Sequence, residues 1–254
     1  MRVVVQNLIV SYEDTGGDAP VMVFLHGWMD NLRTFDAITS PLSSFWRIIR
    51  LDLPGFGGSE IPRESWGVAE YARFVGDFCE KLHVKPYVIV GHSFGGRIII
   101  KGVGNRVLSP KKIVFIASAG LAKQNTPRAL MFLFLAKAGK IALFLLPWAM
   151  RERFRRKLYG AAGSWDYLHI RNGVLKQIFL RGIREDLSDC ARRIAVPAFL
   201  IWGDRDFITP LSDGKRLNEL ISGSKLEIIA GAGHLVHQER PQEVASLVQK
   251  FICQ

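Results

Sequence analysis

Apolar runs at residues 3–12, 21–25, 47–51, 87–90, 113–117, 198–202 and 226–229 are rich in Val, Ile, Leu and Phe and have the length of strands. Between most of them the apolar positions recur every three to four residues. Over 68–82, Val68, Tyr71, Ala72, Val75, Phe78, Cys79 and Leu82 fall on one helical face. The same spacing predicts helices over 94–103, 211–221 and 242–252, the last following Pro241 at a first helical turn. Strands alternating with helices predict an α/β fold, with a mostly parallel, twisted sheet flanked by helices on both faces. Gln6 and Asn7 break the run 3–12, which predicts an antiparallel hairpin at one sheet edge. The N-terminal stretch has one early basic residue, no long apolar region and no small-residue cleavage site. It reads as a strand rather than a signal peptide, and the expected location is cytoplasmic.

The rhythm breaks after residue 121 and resumes at Val196 and Pro197. Residues 122–193 are helix-prone throughout and read as an inserted helical cap, or lid, with 1–121 and 194–254 forming the core domain. Within the insertion, 129–150 is the most apolar segment of the chain. Lys137 and Lys140 sit mid-run and Pro147 interrupts it, which argues for two short helices or one kinked helix rather than a membrane span. The basic cluster 151–157 follows.

The 254 residues, 48% apolar and 22% charged, have globular proportions and suffice for a sizeable core. Three scattered cysteines build neither a disulfide framework nor a metal knuckle, and read as small buried apolar residues. The net charge of +11 is concentrated in one place. Residues 122–193 carry 15 Lys and Arg against 5 Asp and Glu, whereas the rest carries 19 against 18. The charge therefore describes the cap, not the core.

Chemistry is concentrated where strands end. Gly91-His92-Ser93-Phe94-Gly95-Gly96 follows an apolar strand and opens a helix. Such a turn lifts a serine hydroxyl clear of the sheet, and Gly91 and Gly95 omit the Cβ atoms that would collide across it. The helix starting at Phe94 aims free N–H groups and its positive dipole end at that hydroxyl. A serine nucleophile needs a base and an orienting carboxylate. Strand 198–202 runs into Gly203-Asp204-Arg205-Asp206, and strand 226–229 into Ala230-Gly231-Ala232-Gly233-His234. The order Ser93, Asp206, His234 is that of a serine nucleophile set at strand ends. A second backbone donor for an oxyanion hole, beside the Phe94 N–H, is expected at Trp28 in His26-Gly27-Trp28 after strand 21–25.

With these motifs in place, the chain resembles the α/β-hydrolase family, in its serine-nucleophile branch with a helical cap. The resemblance rests on His26-Gly27-Trp28, the turn from Asp52 to Ser59, Gly91 to Gly96, Trp202 to Asp206 with Pro210, and Gly231 to His234 with Glu239 and Pro241. It implies a nucleophile at Ser93, a base at His234, an acid at Asp206 and an oxyanion hole at Trp28 and Phe94. The family's Gly-x-x-Asp spacing favours Asp206 over Asp204. Relatives that dehalogenate alkanes or open epoxides carry aspartate at the nucleophile position, and Ser93 argues against both activities.

The remaining histidines have plainer readings. His26 supports its loop, His92 packs beneath the turn, His237 lies off the strand end, and His83 and His169 are surface residues. No metal site is expected, since no ligand pair recurs at the required spacing. The glycine-rich turn 52–59 lacks the order that cradles phosphate, and no cofactor is needed. Met131, Phe132, Leu143, Phe144 and Trp148 of the cap are expected to roof an apolar pocket. Alternatively the basic cap makes weak contact with an anionic membrane surface or holds a substrate carboxylate. Nucleic acid is not an expected partner. The expected activity is hydrolysis of small to medium apolar carboxylic esters through an acyl-enzyme. The alternatives are a lactone, thioester or carbon–carbon bond on the same triad, or a ligand receptor with little turnover.

Overall fold

The computed structural model describes residues 1–121 and 170–254. The apolar run 129–150, the basic cluster 151–157 and His169 lie outside the described residues. The strands are β1 (Arg2–Val5), β2 (Leu8–Asp14), β3 (Val21–Leu25), β4 (Arg47–Leu51), β5 (Pro86–His92), β6 (Lys112–Ile116), β7 (Ala198–Gly203) and β8 (Lys225–Ile229). The helices are α1 (Asp36–Leu42), α2 (Val68–Lys81), α3 (Phe94–Gly104), α4 (Gly173–Arg184), α5 (Ser188–Arg192), α6 (Leu211–Leu220), α7 (Val236–Glu239) and α8 (Pro241–Ile252).

The eight strands form one sheet in the order β1-β2-β4-β3-β5-β6-β7-β8. The expected edge hairpin is present: β1 and β2 pair antiparallel with Val5 opposite Leu8. Gln6 and Asn7 form its two-residue turn with φ of 49° and 61°. Both central residues lie in the left-handed region, as the tight turn favoured by strand twist requires. β2 then pairs antiparallel with β4, and every later pairing is parallel.

Side-chain alternation sorts the buried strands between two cores. Val21, Val23 and Leu25 of β3, Phe115 of β6 and Trp202 of β7 face one apolar cluster with residues of α2, α3, α5 and α6. Met22, Phe24, Val114 and Ile201 point the other way and pack with α1 and α8. A sheet buried on both faces needs near-continuous apolar strands, which is why the central ones lack a polar partner at alternate positions.

Contacts around α3 tie the described residues before 122 to those after 169. The Leu187 N–H donates to the Gly120 carbonyl at 2.9 Å, Lys101 of α3 pairs with Glu185 at 2.7 Å, and the Arg97 guanidinium donates to the Glu185 carbonyl. Upstream, Asn172 caps α4 by accepting from the N–H groups of Val174 and Leu175. Leu187, Cys190 and Ala191 are buried in the core that α3 shares. Cys79 and Cys190 are buried as expected, but Cys253 is exposed because it follows the last turn of α8 where the helix reaches the surface. Among the described residues no helix is long and apolar enough to cross a membrane.

Candidate active site

Strand order reverses between β3 and β5, whose neighbours leave in opposite directions. The crevice beyond the carboxyl ends of the strands at such a reversal is where open α/β sheets bind ligands. The two loops that flank it are His26-Gly27-Trp28 after β3 and Ser93 after β5.

Ser93 has φ 49° and ψ −107°, a conformation that costs a non-glycine residue on the order of 1–3 kcal/mol and that the surroundings enforce. Its N–H donates to the Ile116 carbonyl at 3.1 Å, and its carbonyl accepts from Gly96 and Ala119. The flanking glycines are required by contact. A Cβ on Gly91 would lie 2.6 Å from the Gly95 carbonyl carbon, and one on Gly95 would lie 2.0 Å from the Leu25 carbonyl oxygen. Across the crevice, a Cβ on Gly27 would lie 3.3 Å from Ser93 Cβ. The loop carrying Trp28 is thus packed against the serine, and the Trp28 ring stands edge-on to Phe94 with centroids 5.4 Å apart.

Asp206 and His234 are brought together: Nδ1 of His234 lies 2.8 Å from Oδ2 of Asp206. Asp206 is buried, and its Oδ1 accepts from the N–H groups of Ile208 and Thr209 at 2.8 and 2.9 Å. Asp204 is exposed and accepts instead from the Gly231 N–H at 2.7 Å, tying the β7 and β8 loops. Spacing favoured Asp206, and burial separates the two carboxylates in the same sense.

Around this pair the other histidines hold loops. His26 accepts from the Leu53 N–H at Nε2, so its Nδ1 proton donates to the Gly27 carbonyl at 2.7 Å. Nε2 of the buried His92 donates to the His234 carbonyl at 3.1 Å, linking the serine turn to the histidine loop. With Nε2 donating, Nδ1 is the unprotonated nitrogen of the neutral ring, and it has no partner among the described residues. His237 is buried against Thr34, with Nε2 2.9 Å from Oγ1. His83 is exposed.

Burial holds the imidazoles of His26 and His92 below the usual histidine range, with His237 and His234 adding to the effect at His92. Burial pushes His237 down to about 3. These groups stay neutral in the fold while the unfolded chain takes up protons below about pH 6.5. Stability is thus fully present above that pH and declines from there towards about pH 3. Urea unfolding at about pH 7 and pH 5, an interval above ordinary carboxylate titration, is expected to show a loss of about 2 kcal/mol or more. His237→Gln is expected to flatten the dependence, and an equally steep profile in that variant overturns the assignment.

Thr209 is the residue that sequence reasoning missed. Its hydroxyl oxygen lies 2.8 Å from Asp206 Oδ2, 3.1 Å from His234 Nδ1 and 3.0 Å from the Ala117 carbonyl oxygen. The available signal was local: an Asp three residues ahead of a Thr-Pro pair is an Asx-type turn that folds the hydroxyl back on the carboxylate.

An apolar wall completes the crevice. Trp28 contacts Phe56 at 4.8 Å and Phe179 of α4 at 5.1 Å between centroids. Leu175, one turn earlier on α4, covers Gly55, where a Cβ would meet its Cδ2 at 2.5 Å.

Comparison with known proteins agrees with this architecture. The model of the alpha/beta hydrolase family matches residues 22–247. An uncharacterized hydrolase, YugF, of Bacillus subtilis is 30% identical over 246 residues, covering 91% of this chain and 89% of its own. Among solved structures, the enol-lactonase from Burkholderia xenovorans LB400 superposes with a TM-score of 0.77 at 20% identity, covering 100% of both chains. A thermophilic esterase from Thermogutta terrifontis gives 0.72 at 20% identity, covering 99% of this chain and 98% of its own. The chain is therefore a hydrolase belonging to the alpha/beta hydrolase family.

Proposed function

We propose that the chain is a serine hydrolase of small to medium apolar carboxylic esters, working through Ser93, His234 and Asp206. The observation that carries this reading is the 2.8 Å contact between His234 Nδ1 and Asp206 Oδ2. It engages Nδ1 and leaves Nε2 as the basic nitrogen, in a loop that His92 ties to the serine turn. Nε2 takes the Ser93 proton as the hydroxyl oxygen attacks the ester carbonyl, and the N–H groups of Phe94 and Trp28 hold the oxyanion. His234 then returns the proton to the departing alkoxide. Water, deprotonated by the same nitrogen, attacks the acyl-enzyme and releases the acid and Ser93.

Residues 122–193 are proposed as a cap domain, and the described part that lies at this crevice is α4. The support is α4, which sets Leu175 and Phe179 beside Gly55 and Trp28. The aromatic lining of Trp28, Phe56, Phe94 and Phe179 favours an apolar acyl or alcohol group. The name of one structural neighbour, an esterase, agrees with this bond type, and that of another, an enol-lactonase, keeps a cyclic ester as the second reading.

The test is incubation with a fluorophosphonate, followed by peptide mass mapping, beside hydrolysis of p-nitrophenyl esters from acetate to long acyl chains. Phosphonylation confined to the Ser93 peptide, blocking ester hydrolysis in proportion, is expected. Hydrolysis that survives complete phosphonylation of Ser93 overturns the nucleophile assignment.

A further inference from the structure

Three loops converge on one buried hydroxyl. Thr209 follows β7, Ala117 follows β6 and His234 follows β8, and the Thr209 Oγ1 contacts Asp206 Oδ2, the Ala117 carbonyl and His234 Nδ1 at 2.8, 3.0 and 3.1 Å. A hydroxyl has one proton and two lone pairs. Two oxygens 2.8 Å apart need a proton between them, so that of Oγ1 points into the gap between Oδ2 and the Ala117 carbonyl. The Nδ1 proton of His234 has Oδ2 at 2.8 Å and, on the same side, a lone pair of Oγ1. Ala117 holds φ 45°, a left-handed conformation for a residue with a Cβ, in the turn that brings its carbonyl here.

Loop closure alone needs only some of these contacts. The Thr209 N–H already donates to Asp206 Oδ1, and the Trp202 indole N–H already donates to the Thr209 carbonyl at 2.8 Å. The hydroxyl adds contacts with the two atoms that decide where the imidazole proton sits.

Resting on the reading of Asp206 and His234 as the acid–base pair, we propose that Thr209 is a positioning residue. Its hydroxyl fixes Asp206 Oδ2 and shares the Nδ1 proton of His234, which holds carboxylate and ring in one mutual orientation and tempers the charge that Oδ2 turns to the ring. Among the described residues, the groups facing the His234 ring are Asp206 and Thr209 from the β7 loop and His92 from β5, centroids 4.8 Å apart, with His237 of α7 behind His92 at 4.4 Å. Removing the hydroxyl takes a donor from the carboxylate and a weaker, longer acceptor from the imidazole. The shorter contact dominates, so Oδ2 carries more charge toward the ring, and imidazolium forms at higher pH.

The experiment compares Thr209→Val and Thr209→Ser with the native full-length chain, using p-nitrophenyl butyrate across pH and 15N spectra of the imidazoles without substrate. In Thr209→Val, kcat is expected to fall about tenfold with KM unchanged, and the acid limb of kcat/KM to move up by about half a pH unit. The His234 Nδ1 proton signal is expected to shift, and Thr209→Ser to restore all three to within about twofold. If Thr209→Val does not fold, Thr209→Ala carries the same comparison. An unmoved acid limb and Nδ1 signal, or a serine variant as impaired as valine, overturns the proposal. Ester turnover retained in Ser93→Ala sinks the triad reading instead, while the Nδ1 signal still decides whether Thr209 holds the ring.

Discussion

Asparagine at position 206 is expected to lower ester turnover by about 10⁴-fold, whereas asparagine at position 204 leaves it within about twofold. The argument depends on which oxygen of Asp206 faces which partner. Oδ1 accepts from two backbone N–H groups, of Ile208 and Thr209, so an amide placed there must set its oxygen at that position. Its NH2 then occupies the place of Oδ2, pointing at His234 Nδ1 and Thr209 Oγ1. A donor meets a donor, and the ring relieves the clash by moving its proton to Nε2. The nitrogen that must take the Ser93 proton is then already protonated. Asp204 carries no such constraint, because it is exposed and the hydrogen bond its carboxylate accepts from the Gly231 N–H is satisfied equally by an amide oxygen. The check is kcat for p-nitrophenyl butyrate in both variants beside their unfolding curves. Turnover within tenfold of native in a folded Asp206→Asn removes that residue from the orienting role, and a collapse in Asp204→Asn reassigns it.

The contrast between these carboxylates shows what a sequence can carry and where it stops. Both follow one strand, and spacing separated them without saying why. The physical reason is three-dimensional: Asp206 is buried, with its Oδ1 held by the Ile208 and Thr209 N–H groups, while Asp204 is exposed. The serine turn was more legible, because its requirement is local. A hydroxyl lifted from a strand-to-helix junction needs missing Cβ atoms on either side, and Gly91 and Gly95 supply that within five residues. The hairpin at Gln6 and Asn7 was legible for the same reason. The role of Thr209 and the partner of His92 were not, since their contacts come from loops after other strands. Ala117 lies 92 residues from Thr209, and His234 lies 142 residues from His92. The buried strands were readable because a sheet covered on both faces leaves long apolar runs. Helix α4 begins at an unpredicted Asn172 cap inside a stretch whose composition is helix-prone throughout.

Gly95→Ala is expected to cost more than about 4 kcal/mol, enough to leave much of the chain unfolded at physiological temperature. The added Cβ would stand 2.0 Å from the Leu25 carbonyl oxygen, 2.6 Å from its carbon and 2.9 Å from its Cβ. Those atoms cannot yield as a flexible side chain does. Leu25 is the last residue of β3 and is paired on both sides, with Leu51 of β4 and Gly91 of β5, so moving its carbonyl breaks into two ladders. The alternative is to push α3 away from the sheet, which unpacks Ile98 and Ile99 from the core and shifts Ser93 at the same time. Gly182 of α4 gives the opposite sign for the same substitution. Among the described residues its nearest neighbour is Phe94 Cε2 at 3.8 Å, an ordinary contact, and alanine in a helix interior is favoured by about 0.5–1 kcal/mol. Gly182→Ala is therefore expected to raise Tm by a few degrees, on the order of 2–4 °C per kcal/mol in a chain of this size. Urea and thermal unfolding of the two variants beside the native chain decide the matter. A Gly95→Ala protein of native stability means that α3 is free to retreat from β3, and a turn free to retreat has no means of holding Ser93 in its strained conformation.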